Sequence, residues 1–85
     1  MPYIDKQALI WKEIDGRVTI VLMGSGNFCE LNQMGSEIWR LLAQEKSTEQ
    51  IVDALQPKYQ VTRKKLFSDV NAFIKTMLKQ GLLKK

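Results

Sequence analysis

The 85-residue sequence predicts a single α+β domain in which a three-stranded antiparallel sheet precedes three helices. Three observations lead to this fold class. Apolar residues alternate with others on both sides of Asp15-Gly16, a glycine-serine-glycine run marks a second turn, and the apolar spacing then changes to that of helices. A chain of this length builds one small core, so we expect residues 1–85 to form one domain, with frayed ends at 1–6 and 84–85.

The first third of the chain predicts a strand meander. The Asp-Gly dipeptide predicts a two-residue hairpin, because both turn positions of such hairpins need a positive φ. Pairing across this turn sets Trp11 opposite Ile20 on the face that we expect to be buried. A turn over residues 24–26 leads into a third strand, expected over residues 27–31 with Phe28 on the core face. Three further apolar residues are left on the opposite face: Ile10, Ile14 and Val21.

Three helices follow, each with its own start signal. Asn32 is the expected cap of the first, Ser47 opens a capping-box sequence before the second, and Thr62 is the expected cap of the third. A proline ends the second helix, and Gly81 supplies the stop after the third. Gly35, near the start of the first helix, indicates either a close approach of another element or only a weak point in the helix.

The third helix carries a wider apolar arc than a surface helix needs. Its first stripe, which we expect to face the core, consists of Leu66, Val70, Phe73 and Met77. A second stripe, about 100° round the helix, consists of Phe67, Ile74 and Leu78. This second stripe either packs on the first two helices or lines an open groove whose rim carries Lys64, Asn71 and Lys75. The spacing leaves both interpretations open.

The residue inventory favours binding over catalysis. The chain has no histidine and one cysteine, Cys29, so we expect neither a catalytic site nor a bound metal or cofactor. The net charge of +4 is uneven, because residues 1–60 carry six basic and eight acidic side chains and residues 61–85 carry seven and one. Three cations, Arg63 to Lys65, occupy the start of the third helix, where free amides attract anions.

The expected location is the cytoplasm. No apolar run approaches the roughly 18 residues of a membrane span, and the first residues show no export signal. We therefore expect no membrane partner.

The order of these residues resembles the PqqD-like family. The resemblance spans about residues 8–83 and includes Trp11, Asp15-Gly16, Thr48-x-x-Ile51, Leu55 and Tyr59-x-Val61. Its most specific part consists of three blocks in register: Leu31-Asn32-x-x-Gly35-x-x-Ile38-Trp39-x-Leu41-Leu42, Asp69-Val70-x-x-Phe73-Ile74, and Leu78-x-x-Gly81-Leu82-Leu83. It implies a winged helix-turn-helix-like fold and a protein without catalytic activity. Such a protein binds the leader of a ribosomally made precursor peptide and presents it to a modifying enzyme, such as a radical SAM protein or a leader peptidase. Residues 24–28 lack the family's Pro-Glu-Gly-type segment, so the pyrroloquinoline quinone pathway and another pathway, such as that of a lasso peptide, both stay open.

The resemblance also implies where the peptide binds. The leader adds as an extra strand along the third strand, beside the third helix. The residues expected to contact it on the strand are Asn27, Phe28, Cys29, Glu30 and Leu31. Those expected on the helix are Lys64, Phe67, Asn71, Ile74 and Lys75. The same exposed strand also permits a domain-swapped dimer.

Two other functions fit parts of the pattern. The second and third helices form a helix-turn-helix. In a DNA-binding regulator the start of the second helix of this motif enters the major groove, and here that start is the basic beginning of the third helix. The acidic balance of residues 1–60 argues against nucleic acid, because a DNA footprint needs many cations. The chain is alternatively a structural subunit that docks on a larger enzyme and has no peptide of its own.

Overall fold

The computed structural model describes residues 2–85 and shows three strands followed by three helices. The strands are β1 (Leu9–Ile14), β2 (Arg17–Leu22) and β3 (Phe28–Glu30), and the sheet order is β1-β2-β3 with antiparallel pairing. The helices are α1 (Gln33–Ala43), α2 (Thr48–Leu55) and α3 (Arg63–Lys79), with a 3-10 turn over Gln56–Lys58 after α2. The predicted α+β class is confirmed.

The β1–β2 hairpin turns at the predicted dipeptide. Asp15 and Gly16 have φ angles of 54° and 80°, the left-handed values that a tight two-residue hairpin requires. Trp11 lies opposite Ile20, as predicted, and Ile20 is fully buried on the inner face of the sheet. The register of the first two strands is therefore confirmed.

The register of β3 differs from the prediction. Cys29, and not Phe28, lies opposite Ile20, so Phe28 faces outwards and is 75% exposed. The prediction that Phe28 lies on the core face is wrong. Gly26, with φ 75°, donates its amide to the carbonyl of Leu22 at 2.9 Å and closes the turn, and this turn sets which residues of β3 face inwards. A shift of one residue moves every side chain of a strand to the other face.

The helix starts are capped as predicted. The side-chain oxygen of Asn32 accepts a hydrogen bond from the amide of Gly35 at 2.8 Å. Ser47 accepts from the amide of Gln50, whose side chain in turn accepts from the amide of Ser47. Thr62 caps α3 by accepting from a first-turn amide at 3.1 Å. These bonds fix where each helix begins, because the first-turn amides have no partner inside the helix.

The core lies between the inner face of the sheet and the three helices. It consists of Leu9, Val18, Ile20, Leu31, Ile38, Trp39, Leu42, Ile51, Val52, Leu55, Leu66, Val70, Ile74, Met77, Leu82 and Leu83. The ring of Trp39 is fully buried and meets the ring of Trp11 edge to face, with 6.4 Å between centroids. Leu82 and Leu83 fold back onto the core after Gly81 (φ 77°), as the sequence predicts. Burial of these side chains is the main favourable term for a domain of this size.

A buried serine ties α1 to the sheet. The hydroxyl of Ser36 accepts a hydrogen bond from the amide of Val18 at 2.8 Å and donates one to the carbonyl of Leu31 at 3.3 Å. The same carbonyl accepts a bond from the Nε of Arg17 at 3.2 Å. These contacts hold the end of the β3 segment against β2 and the start of α1.

The two ends of the described chain are joined. The amide of Tyr3 donates to the carbonyl of Lys84 at 2.8 Å, and the amide of Lys84 donates to the carbonyl of Tyr3 at 2.9 Å. Both residues fall within the segments expected to fray, yet each has its main chain paired. The bridge lies directly after the turn that carries Leu82 and Leu83 into the core.

A second polar contact connects α1 to the segment before α3. The hydroxyl of Tyr59 donates a hydrogen bond to the carboxylate of Glu37 at 3.1 Å, and the ammonium of Lys58 lies 3.7 Å from the other carboxylate oxygen. Burial, together with the hydrogen bond and the negative charge of Glu37, raises the pKa of Tyr59 above its ordinary value of about 10.

Candidate functional site

The free edge of β3 is the first component of the site. The carbonyl of Asn27 accepts a hydrogen bond from the amide of Leu22, and the amide of Leu31 donates one to the carbonyl of Val18, each at 2.8 Å. Antiparallel strands alternate between residues that bond the neighbouring strand and residues that point away from it. The amides and carbonyls of Phe28 and Glu30 therefore point out of the sheet edge. The edge offers two donors and two acceptors to another extended chain.

A small apolar cavity is the second component. It has a volume of about 150 Å³ and lies between the inner side of β3 and the end of α3. The lining residues are Ile20, Leu22, Asn27, Phe28, Cys29, Gln80 and Leu82. Leu82 is positioned by the turn at Gly81, after which its amide bonds the carbonyl of Met77 at 2.9 Å. The cavity therefore depends on the C-terminal turn as much as on the sheet.

The third component is the side of α3 that faces the sheet edge. A Cβ atom added to Gly35 would lie 3.1 Å from the ring of Phe73 and 3.5 Å from the Cβ of Leu31. Phe73 therefore packs against the start of α1, near the end of the β3 segment. Gln80 follows seven residues later, about two helical turns along the same side of α3, and lines the cavity. The close approach that Gly35 indicated in the sequence is present.

The predicted helix residues lie on another side of α3. At 100° per residue, Lys64, Phe67, Asn71, Ile74 and Lys75 lie about 100–200° round the helix from Phe73. None of these five lines the cavity beside β3 within residues 2–85. Ile74 is only 7% exposed and belongs to the core, whereas Lys64, Asn71 and Lys75 are exposed. The spacing of apolar residues along α3 predicts how wide its buried surface is. It does not predict which side of that surface, the one with Phe73 or the one with Phe67, faces β3.

Phe67 is half-buried and belongs to the junction with α2. The guanidinium of Arg63 lies 5.3 Å from the centre of its ring and also pairs with Asp53 of α2 at 2.7 Å. Of the second apolar stripe, Ile74 therefore packs in the core. Phe67 lies at the edge of the buried surface, where the guanidinium of Arg63 covers its ring. Of the predicted site, the structure brings together the strand residues Asn27, Phe28 and Cys29 at the cavity.

The structure places Gln80 and Leu82 at the cavity and Phe73 against the start of α1, which makes these three residues further candidates for the site. The sequence carries a signal for Leu82, because Gly81 predicts a turn that returns the chain to the core. Phe73 was recognisable as a core residue but not as a neighbour of β3. Gln80 has no distinguishing pattern and is identified only by its position at the end of α3.

Two of the three cations at the start of α3 are paired. Arg63 contacts Asp53, and Lys65 contacts Asp69 at 2.7 Å. These ion pairs reduce the positive potential that an anionic partner would meet at this helix start. Within the described residues, no cluster of three or more potential metal ligands occurs, and no helix is long and apolar enough to cross a membrane.

Comparison with known proteins identifies the family to which this chain belongs. The family model for coenzyme PQQ synthesis protein D (PqqD) matches residues 19–83, which is most of the chain. The chain belongs to the PqqD family. The resemblance found in the sequence is thereby confirmed, and the match covers both β3 and the whole of α3. No curated protein matches this PqqD-family chain.

Two solved structures are similar to this PqqD-family chain over almost its whole length. One is TbiB1 in complex with the TbiA(beta) leader peptide, with 32% identity, a TM-score of 0.90, and coverage of 96% of this chain and 94% of that one. The other is a lasso peptide synthetase B1 complexed with the leader peptide, with 18% identity, a TM-score of 0.90, and coverage of 99% and 98%. The second likeness concerns the fold alone.

Proposed function

We propose that this chain is a peptide-binding protein that captures the leader of a ribosomally made precursor peptide and presents it to a modifying enzyme. The observation that carries the proposal is the open edge of β3 beside an apolar cavity. The complex of TbiB1 with a leader peptide supports it, since that relative is 32% identical over nearly the whole chain. The chain works by binding, in the cytoplasm where precursor peptides are made, and performs no reaction itself.

The main chain of the leader pairs with two residues of β3. The outward amides and carbonyls of Phe28 and Glu30 form up to four hydrogen bonds with an extended peptide. These bonds do not depend on the peptide's side chains, so they contribute affinity and little specificity. They also leave the ladder between β2 and β3 intact, because that ladder uses the groups that point the other way.

One leader side chain enters the cavity. The leader residue that pairs opposite Cys29 projects to the inner face of the sheet, the same face as the cysteine. A cavity of about 150 Å³ in a protein accepts a group the size of benzene, so one aliphatic or small aromatic side chain fits. The walls are apolar apart from Asn27 and Gln80, whose amides can bond a polar group at the mouth.

Contacts on the far side of α3 stay a prediction. Lys64, Phe67, Asn71 and Lys75 would meet the leader only where it continues beyond the cavity and passes round the helix. Ile74 is predicted with them, but its side chain is 7% exposed and offers the leader little surface. The DNA-binding alternative is less well supported, because Arg63 and Lys65 already pair with carboxylates. The pathway, whether it leads to pyrroloquinoline quinone or to a lasso or other modified peptide, depends on the leader that is bound.

A titration followed by NMR tests the proposal. The probes are the leader of any precursor peptide whose gene neighbours that of this chain, taken as the cognate leader, and, separately, the TbiA(beta) leader. We expect a dissociation constant of about 1 μM or tighter for the cognate leader. We also expect the amides of Phe28 and Glu30 to exchange more slowly in the complex, while that of Cys29, already paired with β2, changes little. Tight binding without protection of these two amides would place the peptide elsewhere, and no binding of either leader would refute the function.

A further inference from the structure

The C-terminal turn, residues 80–85, forms one wall of the apolar cavity beside β3 through Gln80 and Leu82. Within residues 2–85, the hydrogen bonds of this turn go to the end of α3 and to one other residue, Tyr3. α3 itself packs mainly on α2. Something other than the ladder of the sheet therefore sets the distance between this turn and β3.

Residues 3–8, here called the leading segment, connect the two sides of the cavity. At one end, the amide of Met23 donates to the carbonyl of Ala8 at 3.0 Å, directly after the end of β2 that lines the cavity. At the other end, Tyr3 and Lys84 exchange two main-chain hydrogen bonds, at 2.8 Å and 2.9 Å. The leading segment therefore runs from the sheet side of the cavity to its helix side.

The leading segment has its own folded conformation. The amide of Ala8 donates to the carbonyl of Asp5, and the amide of Gln7 donates to the carboxylate of Asp5, each at 3.0 Å. Ile4, next to the bridge, is half-buried and packs against the core. A segment with an internal turn and an apolar anchor holds its two ends at a fixed separation.

The pair between Tyr3 and Lys84 adds a directional constraint that burial of the turn does not supply. Leu82 is only 3% exposed, but burial of apolar surface is non-directional and leaves open how far this side chain reaches into the wall. Hydrogen bonds hold their atoms within a narrow range of distances. Because a cavity of about 150 Å³ accepts only one side chain, a small shift of its wall changes the fit.

We propose that Tyr3 is a positioning residue for the leader, because its main-chain pair with Lys84 holds Leu82 where the cavity encloses one leader side chain. This inference rests on the proposed function, since it assigns the cavity to the leader. Tyr3 acts through Leu82 and not by contact, because it does not line the cavity beside β3. Its ring is 50% exposed and borders a different cavity, together with Ile4 and Trp11.

The test compares full-length variants that lack one bond of the bridge with a variant that keeps both. Tyr3→Pro removes one amide donor and Lys84→Pro removes the other, so a loss of fold in one variant leaves the second as the test. The matched control is Tyr3→Val, which removes the ring but keeps the amide. Thermal melts check the folds.

Two peptides are titrated by calorimetry into each protein. The first is the cognate leader or the TbiA(beta) leader, whichever binds the wild type more tightly. The second is the same leader with alanine in place of the residue whose nuclear Overhauser contacts reach the methyl groups of Leu82. The alanine leader lacks the side chain that the cavity encloses, so it reports on all other contacts.

We expect the unmodified leader to bind the proline variants about threefold to tenfold more weakly, and Tyr3→Val within about twofold of the wild type. The alanine leader should bind all four proteins within about twofold of one another. Unchanged affinity for the unmodified leader in the proline variants would overturn the inference, as would equal weakening for both leaders, which would make the bridge a general support of the fold. A wild-type chain that binds neither the cognate nor the TbiA(beta) leader would instead overturn the proposed function.

Discussion

Replacing Glu30 by proline should weaken the binding of the leader strongly while the sheet stays folded. The amide of Glu30 points out of the edge, so its loss removes one hydrogen bond to the leader and leaves a leader carbonyl without its partner. Such an unpaired group costs about 1–3 kcal/mol, which corresponds to a roughly fivefold to 150-fold weaker complex. Proline is tolerated at an edge position whose amide bonds nothing in the sheet. The variant also loses the ion pair between Glu30 and Arg17, which is half-exposed and worth about 0–1 kcal/mol.

The chain provides a closely matched control in Glu13→Pro. Glu13 lies on β1, at the opposite edge, and alternation along β2 points its amide out of the sheet as well. It also pairs with an arginine, Arg40, at 3.2 Å. Fluorescence anisotropy with a labelled leader measures both affinities, and thermal melts check both folds. Equal losses in the two variants, or full affinity in Glu30→Pro, would refute strand addition at β3.

Three further predictions concern the scaffold. Ser36→Ala leaves the buried amide of Val18 without its partner and removes one of the two side-chain bonds to the carbonyl of Leu31, so it should lower the free energy of unfolding by about 1–3 kcal/mol in urea titrations; an unchanged midpoint would contradict that role. Gly35→Val places a branched side chain against the ring of Phe73 and should cost about 1–3 kcal/mol in the same assay; an unchanged midpoint would contradict the close contact. Because the folded state raises the pKa of Tyr59, the wild type has its full stability below about pH 10 and loses part of it as pH rises through the folded-state pKa. Tyr59→Phe should lose less stability over that alkaline range, and parallel curves for the two proteins would rule out the titration of Tyr59 as the cause of the loss.

The local features of the fold could be predicted from the sequence because each depends on near neighbours in the chain. The hairpin follows from a dipeptide that adopts positive φ, and the helix starts follow from side chains that bond amides three residues later. The pairing of Trp11 with Ile20 follows from the length of that turn. The presence of an exposed edge strand is likewise a local inference, since a short strand comes last in a meander.

The face of β3 and the side of α3 were not predictable in the same way. Only one of the neighbouring residues Phe28 and Cys29 can face the inner side of the sheet. Which of them does so depends on the conformation of the turn at Gly26 and on contacts with the end of α3. Phe73, and not Phe67, borders the β3 side, because the crossing of α3 is set by the packing of three helices at once. These are long-range contacts, which apolar spacing along one element does not encode.

The sequence by itself determined the element order, the turns and caps, the family and the likeness to a peptide-binding module. Only the tertiary structure decided which main-chain groups of β3 are free, which side chains line the cavity, and that Phe28 faces outwards. The physical reason is that the first set depends on bonds and spacings within a few residues. The second depends on how a sheet and a helix far apart in the chain come to lie side by side.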